Sequence, residues 1–169
     1  FNANIAPAAK PALPVVTFAD SVSFHWNGET IDVTHPSGSA HTDGDAVVFF
    51  KNDNVLHTGD LYFNNIYPFI DASSGGSMLG VIEAVTSLLN DIDDKTRVIP
   101  GHGALSNKAE LMQYRDMLQS VYAQVLKLKT SGKTAEQVIA AKPSASFDAQ
   151  WGGGFLKPDV WVGIICAAI

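Results

Sequence analysis

The sequence predicts an α/β (α+β) fold in which one β-sheet is covered by helices. Residues 14–60 are dominated by short apolar runs and turns, whereas the later residues change to an apolar period of three to four. A single strand pattern at residues 97–99 interrupts the helical half. A length of 169 residues suits one domain. We therefore predict one domain over residues 1–169, in which the Ala- and Pro-rich residues 1–13 form an extended lead-in.

The first half is predicted to form a strand followed by two hairpins. The dipeptide Asn27-Gly28 is typical of a two-residue type I′ turn, and the polar run at 51–54 predicts a second turn. The predicted strands are residues 15–18, 21–26, 29–34, 46–50 and 55–58.

The second half is predicted to form four helices and one strand. Ser77 is a suitable N-cap for a helix ending near Asn90, and Ser106 for the longest helix, which Gly132 should stop. Thr134 begins a near capping box for a short helix, and the apolar residues 160–169 predict a buried terminal helix. The apolar positions of the longest helix step by three and four: Leu111, Tyr114, Leu118, Val121, Val125 and Leu128.

Composition excludes several classes of function. The net charge of −6 and a pI of about 5.1 disfavour a nucleic-acid partner, and no apolar run approaches the roughly 18 residues of a membrane span. A hydrophobic fraction of 46% excludes a disordered chain. The single cysteine, Cys166, excludes a disulfide within the chain and a cysteine-rich zinc site. Any bound metal would therefore be held by histidine and carboxylate.

Three polar loops at predicted strand ends carry side chains that can bind a metal. His41 precedes a strand, whereas Asp60 and His102 each follow one, and glycine lies close to all three. Any one such loop is more often structural, but the coincidence of three favours a site. Two imidazoles and a carboxylate suit zinc. Of the remaining histidines, His57 is interpreted as a strand residue that packs or hydrogen-bonds, and His25 as a cross-strand or surface residue of a hairpin. His35, which precedes a proline, is expected to be extended and to face solvent.

These loops resemble motifs of the metallo-β-lactamase superfamily of zinc hydrolases. The matching stretches are residues 40–45 (Ala-His-Thr-Asp-Gly-Asp), 58–60 (Thr-Gly-Asp) and 100–103 (Pro-Gly-His-Gly). The resemblance implies an αββα sandwich in which His41 binds one metal, His102 binds the second and the catalytic Asp60 bridges both. It also implies that the metals activate water to attack an ester, lactone, thioester or β-lactam type bond of a small-molecule substrate.

The superfamily's His-x-His-x-Asp-His motif is absent from this sequence. We therefore expect the chain to be the C-terminal, sheet-plus-helices half of such a sandwich, and the lack of an initial Met agrees with this. The parent would bind two zinc ions and this chain zero to one, without activity of its own. An inactive truncated fragment, or a module that binds a metal or a partner, is the alternative. The inner sheet face is expected to be covered in a homodimer or by the missing N-terminal half.

Four residues near these motifs are further candidates. Asp43 and Asp45 could orient His41 through a hydrogen bond or could simply form the turn. Tyr62 and Tyr67, in the aromatic loop after Asp60, could line a substrate pocket or pack the loop against the domain. The low charge, the single cysteine and the resemblance of the ending at 152–159 to periplasmic-type members of the superfamily favour a periplasmic or secreted protein.

Overall fold

The computed structural model describes residues 6–169, in which six strands form one mixed sheet in sequence order. Neighbouring strands are antiparallel except β4 and β5, which are parallel because the intervening chain crosses the sheet through a helix. The strands are β1 Ser21–Trp26, β2 Glu29–Thr34, β3 Val47–Phe50, β4 Val55–His57, β5 Arg97–Ile99 and β6 Ser106–Asn107.

The α-helices of the described residues are α1 Met78–Asp91, α2 Lys108–Thr130, α3 Ala135–Ala140, α4 Asp148–Trp151 and α5 Pro158–Ala168. The predicted cap of α1 is confirmed, since the Ser77 hydroxyl accepts a hydrogen bond from the Gly80 N–H at 3.3 Å. The capping box that begins at Thr134 is also confirmed. Helix α2 begins later than predicted: Ser106 belongs to β6, and Asn107 caps the helix instead.

The predicted strand at residues 15–18 is wrong. These residues form no strand, and the Val15 side chain is completely exposed. A β-branched run becomes a strand only where a neighbouring strand accepts its backbone hydrogen bonds, and local sequence does not supply one. The lead-in is not uniformly extended either, because Lys10–Ala12 form a 3₁₀ turn. Residues 1–5 of this lead-in lie outside the described residues.

The hydrophobic core lies between the helices and one face of the sheet. Val47, Leu56 and Val98 point from β3, β4 and β5 into this core and are at most 6% exposed. The predicted apolar stripe of α2 is buried along most of its length, although Leu128 is only partly buried. The terminal helix α5 is buried as predicted, through Trp161, Val162, Ile165 and Cys166. Within residues 6–169, no helix combines the length and hydropathy needed to cross a membrane.

Candidate metal centre

His41, Asp60 and His102 meet at one edge of the sheet. Asp60 lies in a 3₁₀ turn at the end of β4, and His102 follows β5. Because β4 and β5 are parallel, both chains leave the sheet at the same edge. The loop that carries His41 enters β3 at that edge too, since β3 is antiparallel to β4. The topology thus brings together three residues separated by up to 61 positions in sequence.

The two imidazoles approach different oxygens of the same carboxylate. His41 Nε2 lies 3.5 Å from Asp60 Oδ2, and His102 Nε2 lies 3.4 Å from Asp60 Oδ1. Two ligands of one tetrahedral zinc ion, bonded at about 2.0–2.1 Å, lie about 3.3–3.4 Å apart. Each histidine–oxygen pair therefore has the spacing that two ligands of one metal would have, and the two pairs use different oxygens of Asp60.

The His41 ring is oriented by a backbone carbonyl. His41 Nδ1 lies 2.8 Å from the Phe69 carbonyl oxygen, which can only accept a hydrogen bond, so the proton of the neutral ring belongs on Nδ1. Nε2 then presents its lone pair to the Asp60 carboxylate. Two acceptors that face each other at 3.5 Å need a cation or a proton between them. A histidine held in this way can bind a metal through Nε2.

In the described residues, no three metal-binding side chains converge on one point. Among residues 6–169, no group of three or more histidine, cysteine, aspartate or glutamate side chains is arranged to hold one metal ion. This agrees with the paired geometry, because His41 and His102 use opposite oxygens of Asp60. Catalytic zinc usually has three protein ligands, so each position lacks at least one.

Glycines allow the two loops after β4 and β5 to touch. Gly101 N–H points at the carbonyl oxygens of Gly59 (2.9 Å) and Tyr62 (3.1 Å). A Cβ at position 101 would collide with the Asp60 carboxylate and the Gly59 backbone. Gly59 itself has φ of +53°, which an L side chain rarely adopts. The glycines of the sequence motifs therefore set the position of Asp60.

Asp43 and Asp45 do not hydrogen-bond to the His41 ring, which uses Phe69 instead. The Asp45 carboxylate accepts from the Thr42 N–H at 3.1 Å and from the Thr42 hydroxyl at 2.9 Å, so it closes the turn after His41. The Asp43 N–H donates to the Ser74 carbonyl at 2.9 Å. Both residues fit the turn alternative.

Phe63, one of the aromatic residues of the loop after Asp60, lies directly beside the site, although the sequence analysis singled out only the two tyrosines of this loop. Its ring stacks on His102 with centroids 4.5 Å apart and 19° between the planes. Its position three residues after Asp60 in an aromatic loop is the signal that pointed to it. Phe63 also lies near Phe155, at 6.5 Å between centroids. Phe155 is 62% exposed.

Tyr62 and Tyr67 are buried in the core, which fits the packing alternative. The Tyr62 hydroxyl lies 2.8 Å from Ser106 Oγ, and burial raises the pKa of Tyr62 to about 12. The Tyr67 hydroxyl donates to Asp148 at 2.7 Å, and burial raises the pKa of Tyr67 well above its usual value. The Tyr67 ring also stacks on Trp161 at 3.9 Å. In this structure both tyrosines support the loop.

The other three histidines lie outside the metal centre. His25 is exposed and contacts Thr30 across the β1–β2 hairpin, and His57 Nδ1 accepts from the Gly59 N–H. His35 is half-buried, with Nδ1 2.7 Å from the Asp45 carbonyl. The expectation that His35 faces solvent is therefore wrong, because the loop at Asp45 folds back over the end of β2.

The chain is similar to solved structures of metallo-β-lactamase fold. A metallo-β-lactamase from Pontibacter korlensis matches at 24% identity and a TM-score of 0.52, over 63% of this chain and 49% of that one. The DIM-1 metallo-β-lactamase matches at 20% identity and a TM-score of 0.50, over 60% of this chain and 46% of that one. The stereoselective inverting sec-alkylsulfatase Pisa1 from Pseudomonas sp. matches at 17% identity and a TM-score of 0.65, over 90% of this chain and 26% of that one.

These similarities show that the chain has the metallo-β-lactamase fold over part of that domain. The chain spans about half the length of the two β-lactamases and about a quarter of the alkylsulfatase. No protein-family profile matches the sequence, and no curated protein does.

Proposed function

We propose that His41, Asp60 and His102 form one side of a dinuclear zinc site of a hydrolase. The observation that carries this proposal is the placement of two histidine nitrogens against the two oxygens of one carboxylate, at 3.4 and 3.5 Å. When the His41 ring is neutral, its Nε2 and Asp60 Oδ2 face each other as two acceptors, and a cation fits between them. A fold shared with metallo-β-lactamases agrees with this assignment.

Each residue has a distinct part in this site. His41 would hold one zinc ion, His102 the other, and Asp60 would bridge them. Phe69 fixes the tautomer and direction of the His41 ring, and Phe63 holds the plane of the His102 ring. When bound, zinc lowers the pKa of water and polarises the bond to be cleaved. Further ligands must come from outside the described arrangement, so this chain by itself should bind zero to one zinc ion and be inactive.

We assign the substrate to small molecules with an ester, lactone, thioester, sulfate ester or β-lactam type bond. The exposed Phe155 ring, which lies near the Phe63 ring that stacks on His102, favours a substrate with a hydrocarbon part next to that bond. The acidic net charge and the absence of a spanning helix in residues 6–169 give no support to a nucleic-acid or membrane substrate. A periplasmic or secreted location stays a prediction.

A second candidate function is a module that binds a metal or a partner without catalysis. The observation that favours it is the two-ligand geometry, since no three donors of the described residues converge. A two-ligand site exchanges metal readily and lacks the rigid coordination that catalysis needs.

The proposal is tested by metal binding and hydrolysis on one set of variants. Metal-free protein is titrated with Co²⁺ as a spectroscopic substitute for zinc, and zinc per chain is measured by elemental analysis after dialysis. Asp60→Asn should weaken binding about 10–100-fold or abolish it, because it removes the shared ligand. The exposed Asp94→Asn is the matched control and should bind as the unmodified chain does.

Hydrolysis is then measured on a nitrophenyl ester, a lactone, a thioester, an alkyl sulfate and a β-lactam. For this chain alone we expect Asp60-dependent metal binding without turnover, which both candidate functions allow. The assay is therefore repeated on a longer polypeptide that includes this chain and supplies the further ligands: turnover that Asp60→Asn abolishes would establish a hydrolase, and no turnover there would favour the binding module. Metal binding that is identical in Asp60→Asn and Asp94→Asn would show that the metal is not held at this site.

A further inference from the structure

His57 closes the turn that carries Asp60. The backbone N–H of Gly59 donates a hydrogen bond to His57 Nδ1, with 3.1 Å between the two nitrogens. Because a ring nitrogen that accepts a hydrogen bond must keep its lone pair, the proton of the neutral ring belongs on Nε2. The contact joins a side chain to the N–H two residues later, which is the form of the Asx-turn that asparagine and aspartate make with a side-chain oxygen.

Gly59 needs this contact because its own backbone is permissive. Its φ is +53°, and glycine adopts positive and negative φ with similar ease. Its carbonyl accepts hydrogen bonds from the Gly101 N–H at 2.9 Å and from the Thr58 hydroxyl at 3.1 Å. Its N–H has His57 as the only hydrogen-bond partner within residues 6–169. The contacts on the two sides together select one conformation for the residue before Asp60.

The Asp60 carboxylate depends on this backbone for its position. Nε2 of His41 and Nε2 of His102 approach it at 3.5 and 3.4 Å, and within the described part of the chain no backbone N–H or hydroxyl donates a hydrogen bond to it. The Asp60 side chain is 38% exposed, so packing does not enclose it either. Because an aspartate side chain is short, a change of the turn at Gly59 moves its oxygens with the backbone.

We propose that His57 is a positioning residue for the Asp60 carboxylate, which it places through Gly59 without binding the metal itself. This inference rests on the proposed function of the site. His57 is paired with Val48 on one side and with Ile99 on the other, so its ring ties the turn to the middle of the sheet. With its proton on Nε2 and Nδ1 used by Gly59, the ring has no lone pair left for a metal.

The test compares substitutions of His57 that keep or remove the acceptor. His57→Asn carries a side-chain oxygen on Cγ, as histidine carries Nδ1, and can close the same turn. His57→Val has no acceptor. Asparagine is depleted in strands and valine is enriched, so a general loss of stability would affect His57→Asn more. The expected order of metal affinity is therefore opposite to the expected order of stability.

Titration of the metal-free chain with Co²⁺ is the first readout. His57→Val should weaken binding about 10-fold or more, as for other groups that support a metal ligand, whereas His57→Asn should bind as the unmodified chain does. Thermal unfolding of the same samples should find His57→Asn the less stable variant. His57→Leu repeats the test should His57→Val fold poorly. His25→Val is the control, because it removes an exposed histidine of the β1–β2 hairpin.

Nuclear magnetic resonance of the metal-free chain gives a readout that needs no metal. Long-range proton–nitrogen correlations, recorded at about pH 8 so that an ordinary imidazole is neutral, should show the His57 proton on Nε2 and a lone pair on Nδ1. Hydrogen exchange of the Gly59 amide should become about fivefold faster in His57→Val, the ratio that corresponds to a hydrogen bond of about 1 kcal/mol. The same amide should be unchanged in His57→Asn.

Three outcomes overturn the proposal. If His57→Val binds Co²⁺ as the unmodified chain does while Asp60→Asn does not, the turn holds Asp60 without His57. If His57→Val and His57→Asn lose affinity equally, the imidazole acts as a ligand and not through Gly59. A His57 proton on Nδ1 would show that the Gly59 N–H is not bound there. Asp60→Asn that leaves Co²⁺ binding unchanged is a separate result, because it refutes the proposed function and this role of His57 with it.

Discussion

Replacing Gly101 by alanine should disturb the candidate metal centre although no proposed metal ligand is substituted. A Cβ at this position meets the Asp60 carboxylate and the Gly59 backbone closer than van der Waals contact allows. Gly101 does not have a positive φ, so alanine can adopt its backbone conformation. The cost of the substitution is therefore steric, and it falls on the loop that carries the bridging carboxylate.

The magnitude follows from the atoms that must move. Gly59 and Asp60 belong to one turn, tied to Gly101 by the hydrogen bond of 2.9 Å, so the added methyl displaces the Gly59 backbone as well as the Asp60 carboxylate. Inserting one carbon into such a contact costs about 1–3 kcal/mol. For a chain of this size the melting temperature should fall by about 3–9 °C. Co²⁺ affinity should fall about 10–100-fold, as for other supports of a metal ligand.

The assay compares Gly101→Ala with Gly153→Ala, using thermal unfolding by circular dichroism and Co²⁺ titration. Gly153 has open space around the position of its missing Cβ and lies outside the metal centre, so its substitution should change neither quantity. If both variants melt and bind Co²⁺ alike, the close approach of the two loops does not position Asp60, and the reasoning is refuted.

Three further predictions concern stability. Ser106→Ala should lower the free energy of unfolding, measured by urea denaturation, by about 1–3 kcal/mol, because the buried Tyr62 hydroxyl loses its partner. Ser120→Ala is the control and should cost less, because the Ser120 hydroxyl only accepts a 3.4 Å hydrogen bond from the exposed Gln124. The hydrogen bond from Asn54 and the Lys95 N–H hold the pKa of Asp93 below its usual value, so that stabilisation is complete above the unfolded pKa of about 4 and is lost as pH falls through the folded pKa. Asp93→Asn, and not Asp94→Asn, should flatten the melting temperature between pH 2 and 5. Burial raises the pKa of Tyr62 to about 12, so the contribution of the neutral Tyr62 to folding stability is complete below pH 10 and is lost as pH rises through 12. At pH 11 the phenolate absorbance at 295 nm should therefore lack a Tyr62 component, and Tyr62→Phe should leave the spectrum unchanged.

Local patterns in the sequence determined most of the secondary structure. The hairpin at Asn27-Gly28, the cap at Ser77 and the capping box at Thr134 depend on residues within a few positions of each other, so the sequence predicts them directly. The prediction of a strand at residues 15–18 was wrong for the converse reason, since a strand also needs a neighbouring strand to pair with, which no local pattern reveals. The motifs around His41, Asp60 and His102 identified the residues that could share a site.

Tertiary structure alone decided how those residues meet. The parallel pairing of Leu56 with Val98 places Asp60 and His102 at one edge, and the Phe69 carbonyl, 28 positions from His41, sets the direction of that ring. Burial of Tyr62 and Tyr67 likewise depends on contacts with Ser106 and Asp148 across the chain. The alternation in β1 and β2 predicts that one face is to be buried, but only the packed helices reveal which face they leave uncovered. Sequence period fixes the side on which a residue projects, whereas long-range packing determines what it meets there.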